Sequence, residues 1–295
     1  MTMYNHILTQ DDFVGQDELS YPFEERGLQF GDGIYEVIRI YGGRYYLIHE
    51  HVERLYRSAA AIKIQVPYKK EDLYAKLDEL LEKNKVTGDA KVYLQITRGS
   101  APRDHAFPDD IEANLYAYVK DLPRPEEKLK NGVTAISHDD IRWDWCYIKS
   151  LNLLGNVLAK QAAKEKDCYE AVLHKGGEVT ECSSSNAYLV KDGKVYTHPA
   201  KKNILHGCVR MRVEAFCDQE GIEFVEETFS LEDLQDADEV FLSSSTSEVM
   251  PILKVDELTI AGGTPGPVTR TLQKCYEQDA GLPEEACLFS TAAAE

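Results

Sequence analysis

The clearest helical pattern in the chain runs from His49 to about Ile64, where Val52, Leu55, Tyr56, Ala59, Ala60 and Ile62 recur at steps of three and four residues. That spacing gathers the apolar side chains on one helix face. Leu73, Leu77, Leu80 and Leu81 repeat it and predict a second helix over Lys70 to Asn84, closed in the region of Gly88. Around these helices the runs become β-rich. YNHIL reads as a strand, and GIYEVIRIYGGRYYLI reads as a hairpin folded at Gly42-Gly43. KVYLQITRG and LYAYVK read as adjacent strands.

The segment DLPRPEEK, Asp121 to Lys128, breaks the pattern and reads as a linker. Beyond it the chain predicts a helix over Leu151 to Lys166 and a hairpin in AYLVKDGKVYTH that turns at Asp192-Gly193. A helix from about Gly207 to Gly221, the strand EVFLSS and a last helix from near Pro265 follow. Strands and helices come in groups rather than in strict alternation, which predicts an α+β fold on mostly antiparallel sheets. The expected division is a smaller N-terminal α+β domain over 1–120, the linker over 121–128 and a larger domain over 129–295.

Composition narrows the function. With 43% hydrophobic and 28% charged residues in 295, the chain has the make-up of an ordinary globular protein. Its 33 basic and 51 acidic side chains leave a formal charge of -18, which repels phosphate backbones and anionic membranes, so neither nucleic acid nor membrane is an expected partner. The seven cysteines are scattered, without CxxC or CxxH spacing, which suits free thiols in a reducing compartment and no metal centre. No run approaches the roughly 18 apolar residues of a membrane span, and the first residues lack a signal-peptide pattern, so the expected location is the cytoplasm.

The strongest chemical signal is Lys149 in IKSLNLLGN, at a strand-to-helix junction with no acidic residue in the positions that follow. A desolvated lysine supplies the neutral amine that condenses with a carbonyl. Taken alone, it reads sooner as a surface lysine near a helix start. Downstream, EVTECSSSNAYLV sets Glu181 ahead of Ser183, Ser184, Ser185 and Asn186. A carboxylate opposite a pyridine nitrogen keeps that nitrogen protonated, the state in which the ring withdraws electrons. The helix start at Gly207, Cys208 and Val209 and the hydroxyl-rich turn of Ser243 to Thr246, with Ser244 and Ser245, each offer amides for a phosphate.

IKSLNLLGN, TECSSSN and NILHGCVR, in that order, resemble the signature of the class-IV aminotransferases, the fold-type-IV pyridoxal-phosphate enzymes, over nearly the whole chain. The resemblance implies two α/β-layered domains with pyridoxal 5'-phosphate at their interface. It implies that Lys149 forms the Schiff base and moves the substrate's Cα proton, and that Glu181 binds the pyridine nitrogen. By the same resemblance Ser184, Ser185 and Asn186 line the cofactor edge, and Leu205 packs on one face of the ring. The resemblance makes Arg54, expected on the exposed side of its helix beside His51 and otherwise a surface partner of Glu50, the phosphate-binding cation, with Cys208, Val209, Ser244 and Ser245 expected to complete the phosphate site. Cys182 and Val209 depart from the family, where a glycine and a threonine are more usual; this puts phosphate affinity and thiol sensitivity in question.

In TRGSAPRDHAFP, Arg103 and His105 lie two apart, so in an extended loop both side chains point the same way. An arginine grips a carboxylate bidentately. With Tyr35 of GIYEV, this Arg-x-His pair resembles the carboxylate trap of the D-amino-acid transaminases, in which the loop crosses a homodimer interface. The implied activity is transamination between D-amino acids and 2-oxo acids, D-alanine plus 2-oxoglutarate giving pyruvate plus D-glutamate. On the residues alone, Arg103 and His105 read equally as a solvated loop with Asp104 pairing Arg103, and Tyr35 as a core aromatic. A branched-chain aminotransferase, which shares the cofactor residues but usually has a more apolar pocket without this Arg-x-His loop, is the nearer alternative and an aminodeoxychorismate lyase a more distant one; a non-catalytic pyridoxal-phosphate carrier is the alternative of another class.

Overall fold

The structure, a computed structural model, describes residues 3–289. The chain divides into two compact units, one running up to Arg124 and taking in Ile148–Asn152, the other made of Pro125–Tyr147 and the chain from Leu153 on.

The first unit holds β1 (His6–Thr9), β2 (Phe13–Gly15), α1 (Arg26–Phe30), β3 (Gly33–Tyr41), β4 (Arg44–Tyr46), α2 (Ile48–Ala61), α3 (Lys70–Lys83), β5 (Ala90–Thr97) and β6 (Asn114–Asp121). Its strands form one antiparallel sheet in the order β2-β1-β6-β5-β3-β4. The alternation of β5 shows why: Val92, Leu94 and Ile96 are buried while Lys91, Tyr93 and Gln95 between them are half-buried on the other face. On the apolar face α2 packs on β3 and α3 on β1 and β6, burying Val52, Leu55, Leu73, Leu77 and Leu80. Gly42 and Gly43, at φ 50° and 77°, take the left-handed conformation that a tight two-residue hairpin needs.

The second unit holds α4 (Glu126–Asn131), β7 (Val133–Asp139), α5 (Leu154–Glu165), β8 (Glu170–Lys175), β9 (Glu178–Cys182), β10 (Asn186–Lys191), β11 (Lys194–Tyr196), α6 (Cys208–Glu220), β12 (Phe224–Val225), β13 (Glu239–Ser244), β14 (Glu248–Val255), β15 (Leu258–Thr259) and α7 (Pro267–Asp279). Eight strands run in the order β12-β11-β10-β13-β14-β7-β8-β9, with β15 paired to β14. β7 lies parallel to β14 and to β8, and β11 to β12; the other pairs are antiparallel. Val179, Ala187, Leu189, Val240, Leu242, Met250 and Ile252 build the main core. Ile136, Ala159, Ala163, Ala171 and Leu173 build a smaller one that includes α5. The mixture of helices with mostly antiparallel sheets is the expected α+β class.

Two expected boundaries move. The segment 121–128 is not a free linker throughout, because β6 runs to Asp121 and α4 begins at Glu126, leaving only the stretch between them without helix or strand. The helix expected from Leu151 begins at Leu154, since Lys149–Leu151 is held by β3 instead.

Candidate active site

β4 pairs only with Arg39–Tyr41, so one edge of β3 is open at its start. Lys149–Leu151 occupies it: the Tyr35 N–H donates to the Lys149 carbonyl and the Leu151 N–H to the Gly33 carbonyl, both at 3.0 Å. A Cβ on Gly33 would lie 2.7 Å from the Ile96 carbonyl oxygen and 2.8 Å from Leu151, so only glycine admits this close approach. Lys149 is thereby placed with its Nζ 4.2 Å from the centroid of the Tyr35 ring, half-buried, with no carboxylate on it among the described residues. Its own N–H donates to Ser58 Oγ at 3.2 Å. The structure thus brings Lys149 and Tyr35 together.

The next residue of β3, Glu36, faces the opposite side of the pleat, toward α2. There it meets Arg54. Expected on the exposed side of its helix, Arg54 is instead only 4% exposed. Its Nε and one terminal nitrogen donate to the two Glu36 oxygens at 2.7 and 2.8 Å, and His51 Nδ1 lies 2.6 Å from the same carboxylate. The physical reason is that a buried guanidinium needs a buried counter-charge, and Glu36, not Glu50, supplies it. Burial pushes the Glu36 carboxyl up, but Arg54 and His51 override it and hold it well below the usual carboxylate range.

In the second unit Glu181, the penultimate residue of β9, is a buried carboxylate. One oxygen takes Arg142; the other accepts from Asn186 Nδ2 at 3.1 Å and from the Leu205 N–H at 3.4 Å. Arg142 is itself fixed by Asp140, with Nε–H···Oδ1 at 2.9 Å and a second bond to Oδ2 at 2.8 Å, and Thr180 Oγ1 donates to Asp140 at 2.7 Å. Burial raises the Glu181 carboxyl, and Arg142 is the largest pull the other way. Arg142 escapes a reading of motifs because it lies far upstream of Glu181, in a loop without recognisable spacing.

Asn186 Nδ2 also donates to the Leu205 carbonyl at 2.9 Å, which ties the 205–207 turn to β10. A Cβ on Gly207 would stand 2.2 Å from Asn186 Oδ1, so any other residue at this turn would have to displace the Asn186 side chain. α6 then starts at Cys208 with Gly207 as its cap and no side-chain bond to its first amides. The Cys208 and Val209 side chains are buried, so these positions offer a ligand their N–H groups. Register sets Asn186 beside Ser243, which brings the Ser183–Ser185 turn and the Ser244–Thr246 turn to one end of adjacent strands. Ser183, Ser184 and Ser185 all donate to the buried Glu170, another residue with no sequence signal. Ser244 Oγ accepts from the Ser247 N–H at 3.1 Å, and Ser245 is half-buried in the turn. Glu181, Asn186, Leu205, Cys208, Val209, Ser184, Ser185, Ser244 and Ser245 therefore belong to three converging segments. Cys182, next to Glu181, is buried, and burial pushes its thiol well above the usual range.

Arg103 and His105 are exposed and both reach the Phe30 ring, the Arg103 guanidinium at 4.8 Å and the His105 ring at 5.5 Å between centres. Asp104 does not pair Arg103; its Oδ1 accepts the Ala106 N–H at 3.1 Å.

The family model for amino-transferase class IV matches residues 33–255. The D-alanine aminotransferase of Listeria monocytogenes serotype 4b (strain F2365) is 44% identical over 277 residues, covering 92% of this chain and 95% of its own. That of Staphylococcus haemolyticus is 44% identical over 273 residues, covering 92% and 96%. Among solved structures, the branched-chain amino acid aminotransferase of Escherichia coli superposes with a TM-score of 0.89 at 24% identity, covering 97% of this chain and 98% of its own. That of Thermobaculum terrenum, solved in its PLP form, gives 0.85 at 21%, covering 98% of each.

Proposed function

Because the chain belongs to the amino-transferase class IV family, we infer that it is a pyridoxal 5'-phosphate enzyme transferring amino groups between D-amino acids and 2-oxo acids. D-alanine plus 2-oxoglutarate giving pyruvate plus D-glutamate is the pair we assign. The observation that carries this reading is the near-full-length kinship with D-alanine aminotransferases; the likeness to the two branched-chain enzymes named above, at 24% and 21% identity, is one of fold.

The residues fit the cofactor. Glu181 offers a buried carboxylate held beside Arg142, suited to an N–H⁺ donor, and α6 opens on amides that no side chain caps. When bound, pyridoxal phosphate supplies an electron sink for the charge left at a substrate Cα as its proton departs. Lys149 would hold the cofactor covalently and, once released, carry the Cα proton with its amine. Glu181 would keep the ring nitrogen protonated, with Asn186 and Arg142 orienting it. Leu205 would cover one ring face, while Ser184 and Ser185 would line the edge. The Cys208 and Val209 amides, Ser244, Ser245 and Arg54 would bind the phosphate, Glu36 holding Arg54 in place.

For the substrate, Arg103, His105 and Tyr35 would grip the carboxylate. We propose a homodimer in which the 103–105 loop serves the second copy's site, a reading supported by the resemblance and by the exposure of both side chains. We place the enzyme in the cytosol, which the seven free thiols favour. Among the described residues no helix is long and apolar enough to cross a membrane.

Mixing the holoenzyme with single amino acids tests the reading. D-alanine should bleach the visible band of the lysine-bound cofactor, L-alanine and L-leucine should not, and Lys149→Ala should lack that band and turnover together. Bleaching by L-leucine but not D-alanine would refute it.

A further inference from the structure

We propose that Phe30 is a positioning residue for the substrate-carboxylate grip, the fixed surface on which Arg103 and His105 are oriented. The inference rests on the assignment of those two residues as that grip.

Three guanidiniums lie in this corner of the first unit, and their partners tell them apart. Arg26 and Arg98, 2% and 5% exposed, both place Nε 2.8 Å from Asp32, so the two share one carboxylate. Arg98 is further spent on the Ile62 and Lys63 carbonyls at the end of α2, at 2.8 and 3.1 Å. Arg103 has no carboxylate partner among the described residues and is exposed, which leaves it available for a carboxylate from outside.

The loop that carries Arg103 is clamped from below. Arg26 donates to the Asp104 carbonyl at 2.7 Å, fixing the peptide between Arg103 and His105, and the Arg98 guanidinium lies 3.5 Å from the Phe107 ring centroid. The Arg26 N–H donates to the Gly99 carbonyl at 2.9 Å, tying α1 to the start of the same loop. These contacts set the backbone but not the two side chains. Phe30 does that: its ring receives Arg26 at 4.7 Å, Arg103 at 4.8 Å and the His105 ring at 5.5 Å. A guanidinium resting on a ring face keeps all its N–H donors for a ligand, whereas one paired with a carboxylate does not. Phe30 thus restricts the rotamers of both residues without consuming their hydrogen bonds.

The test compares Phe30→Leu, Phe30→Tyr and Arg103→Ala as holoenzymes, reading kcat and KM for D-alanine, the visible cofactor band and Tm. Phe30→Leu keeps apolar bulk and loses the ring. It should raise KM about five- to tenfold, the worth of one cation–π contact and one ring pair, with kcat within about twofold and the band unchanged. Phe30→Tyr, which keeps the ring, should restore the parent KM. Arg103→Ala should raise KM on the order of a hundredfold. If Arg103→Ala does so and Phe30→Leu leaves KM unmoved, the platform is wrong while the grip stands. If Arg103→Ala itself leaves KM unmoved, the grip assignment falls and the platform with it. A Phe30→Leu enzyme that loses Tm, band and kcat together assigns Phe30 to folding and overturns the proposal.

Discussion

Replacing Arg142 with methionine tests what offsets the burial of the Glu181 carboxyl. The Arg142 and Glu181 side chains are each 5% exposed and that of Asp140 2%, so the substitution strands two buried carboxylates without their cation. Breaking a buried ion pair from one side costs about 3–5 kcal/mol. At roughly 2–4 °C per kcal/mol for a unit of this size, Tm should fall by roughly 6–20 °C. The sign with pH follows from both carboxyls. Glu181 is raised by burial, so the native state prefers it protonated; its cost is absent below about pH 4, where unfolded carboxyls are protonated too, and grows as pH rises. Arg142 opposes that cost, and its loss enlarges it. Asp140 is pushed up by burial but held below its usual value by Arg142, so it stabilises the fold above about pH 4 and loses that contribution as pH falls. Both effects make the Arg142→Met defect largest at neutral pH and smallest near pH 4. Adding Glu181→Gln removes one stranded charge and should return part of the stability but none of the activity. Thermal unfolding by circular dichroism from pH 4 to 8, with kcat at pH 8, reads both. A defect of equal size at every pH, or a double variant no more stable than the single one, would refute the reasoning.

Glu36→Gln leaves Arg54 and His51 without their carboxylate and should cost about 3 kcal/mol in urea unfolding at pH 7. Because Glu36 is held low, that contribution is whole above about pH 4 and is lost as pH falls, so variant and parent should converge only in strong acid. Gly207 sits at φ -64°, which alanine accepts, so the harm of Gly207→Ala is steric. The new Cβ displaces Asn186 from Glu181 and Leu205, and fluorescence titration should show cofactor affinity weakened about tenfold, for one or two lost hydrogen bonds of about 1 kcal/mol each. Cys182 should resist iodoacetamide at pH 8 in the native protein, since burial raises its thiol. Peptide mass spectrometry should find the half-buried Cys168 and Cys287 labelled first, and early labelling of Cys182 would contradict its burial.

Where a segment has one dry face, its period was readable. The stripes of α2 and α3, the Gly42-Gly43 and Asp192-Gly193 hairpins and the alternation of β5 all follow from residue order. What escaped was structure whose cause lies elsewhere in the chain. β7, β8 and β14 are buried on both faces or paired in parallel, and such strands carry no alternation. Asp121 and Glu126 sit in a stretch rich in proline and charge, yet the first is paired to Ala90 across the sheet and the second opens a helix. Lys149–Leu151 reads as the approach to a helix because nothing local reveals the open edge of β3 that captures it.

The candidate site divides along the same line. Lys149, Glu181, Arg54 and the Gly207 turn stand out because each is a chemical group in a recognisable run, and the structure gives every one of them a defined place. The groups that fix them, Arg142 for Glu181, Glu36 for Arg54 and Glu170 for the serine turn, are charged residues in unremarkable runs. A charge buried in a low-dielectric interior needs a counter-charge or several hydrogen bonds, so a buried motif ion implies a second buried ion somewhere in the fold. Residue order does not say which. It does narrow the choice in one case: Tyr35 and Glu36 are neighbours on a strand, so if Tyr35 faces Lys149, Glu36 must face the helix layer, where a carboxylate survives only beside a cation. Arg54 and His51, three residues apart on α2, are the partners that the helical period turns to that face. That step connects the strand's period of two to the helix's 3.6, and it turns Arg54 from a surface residue into a buried one.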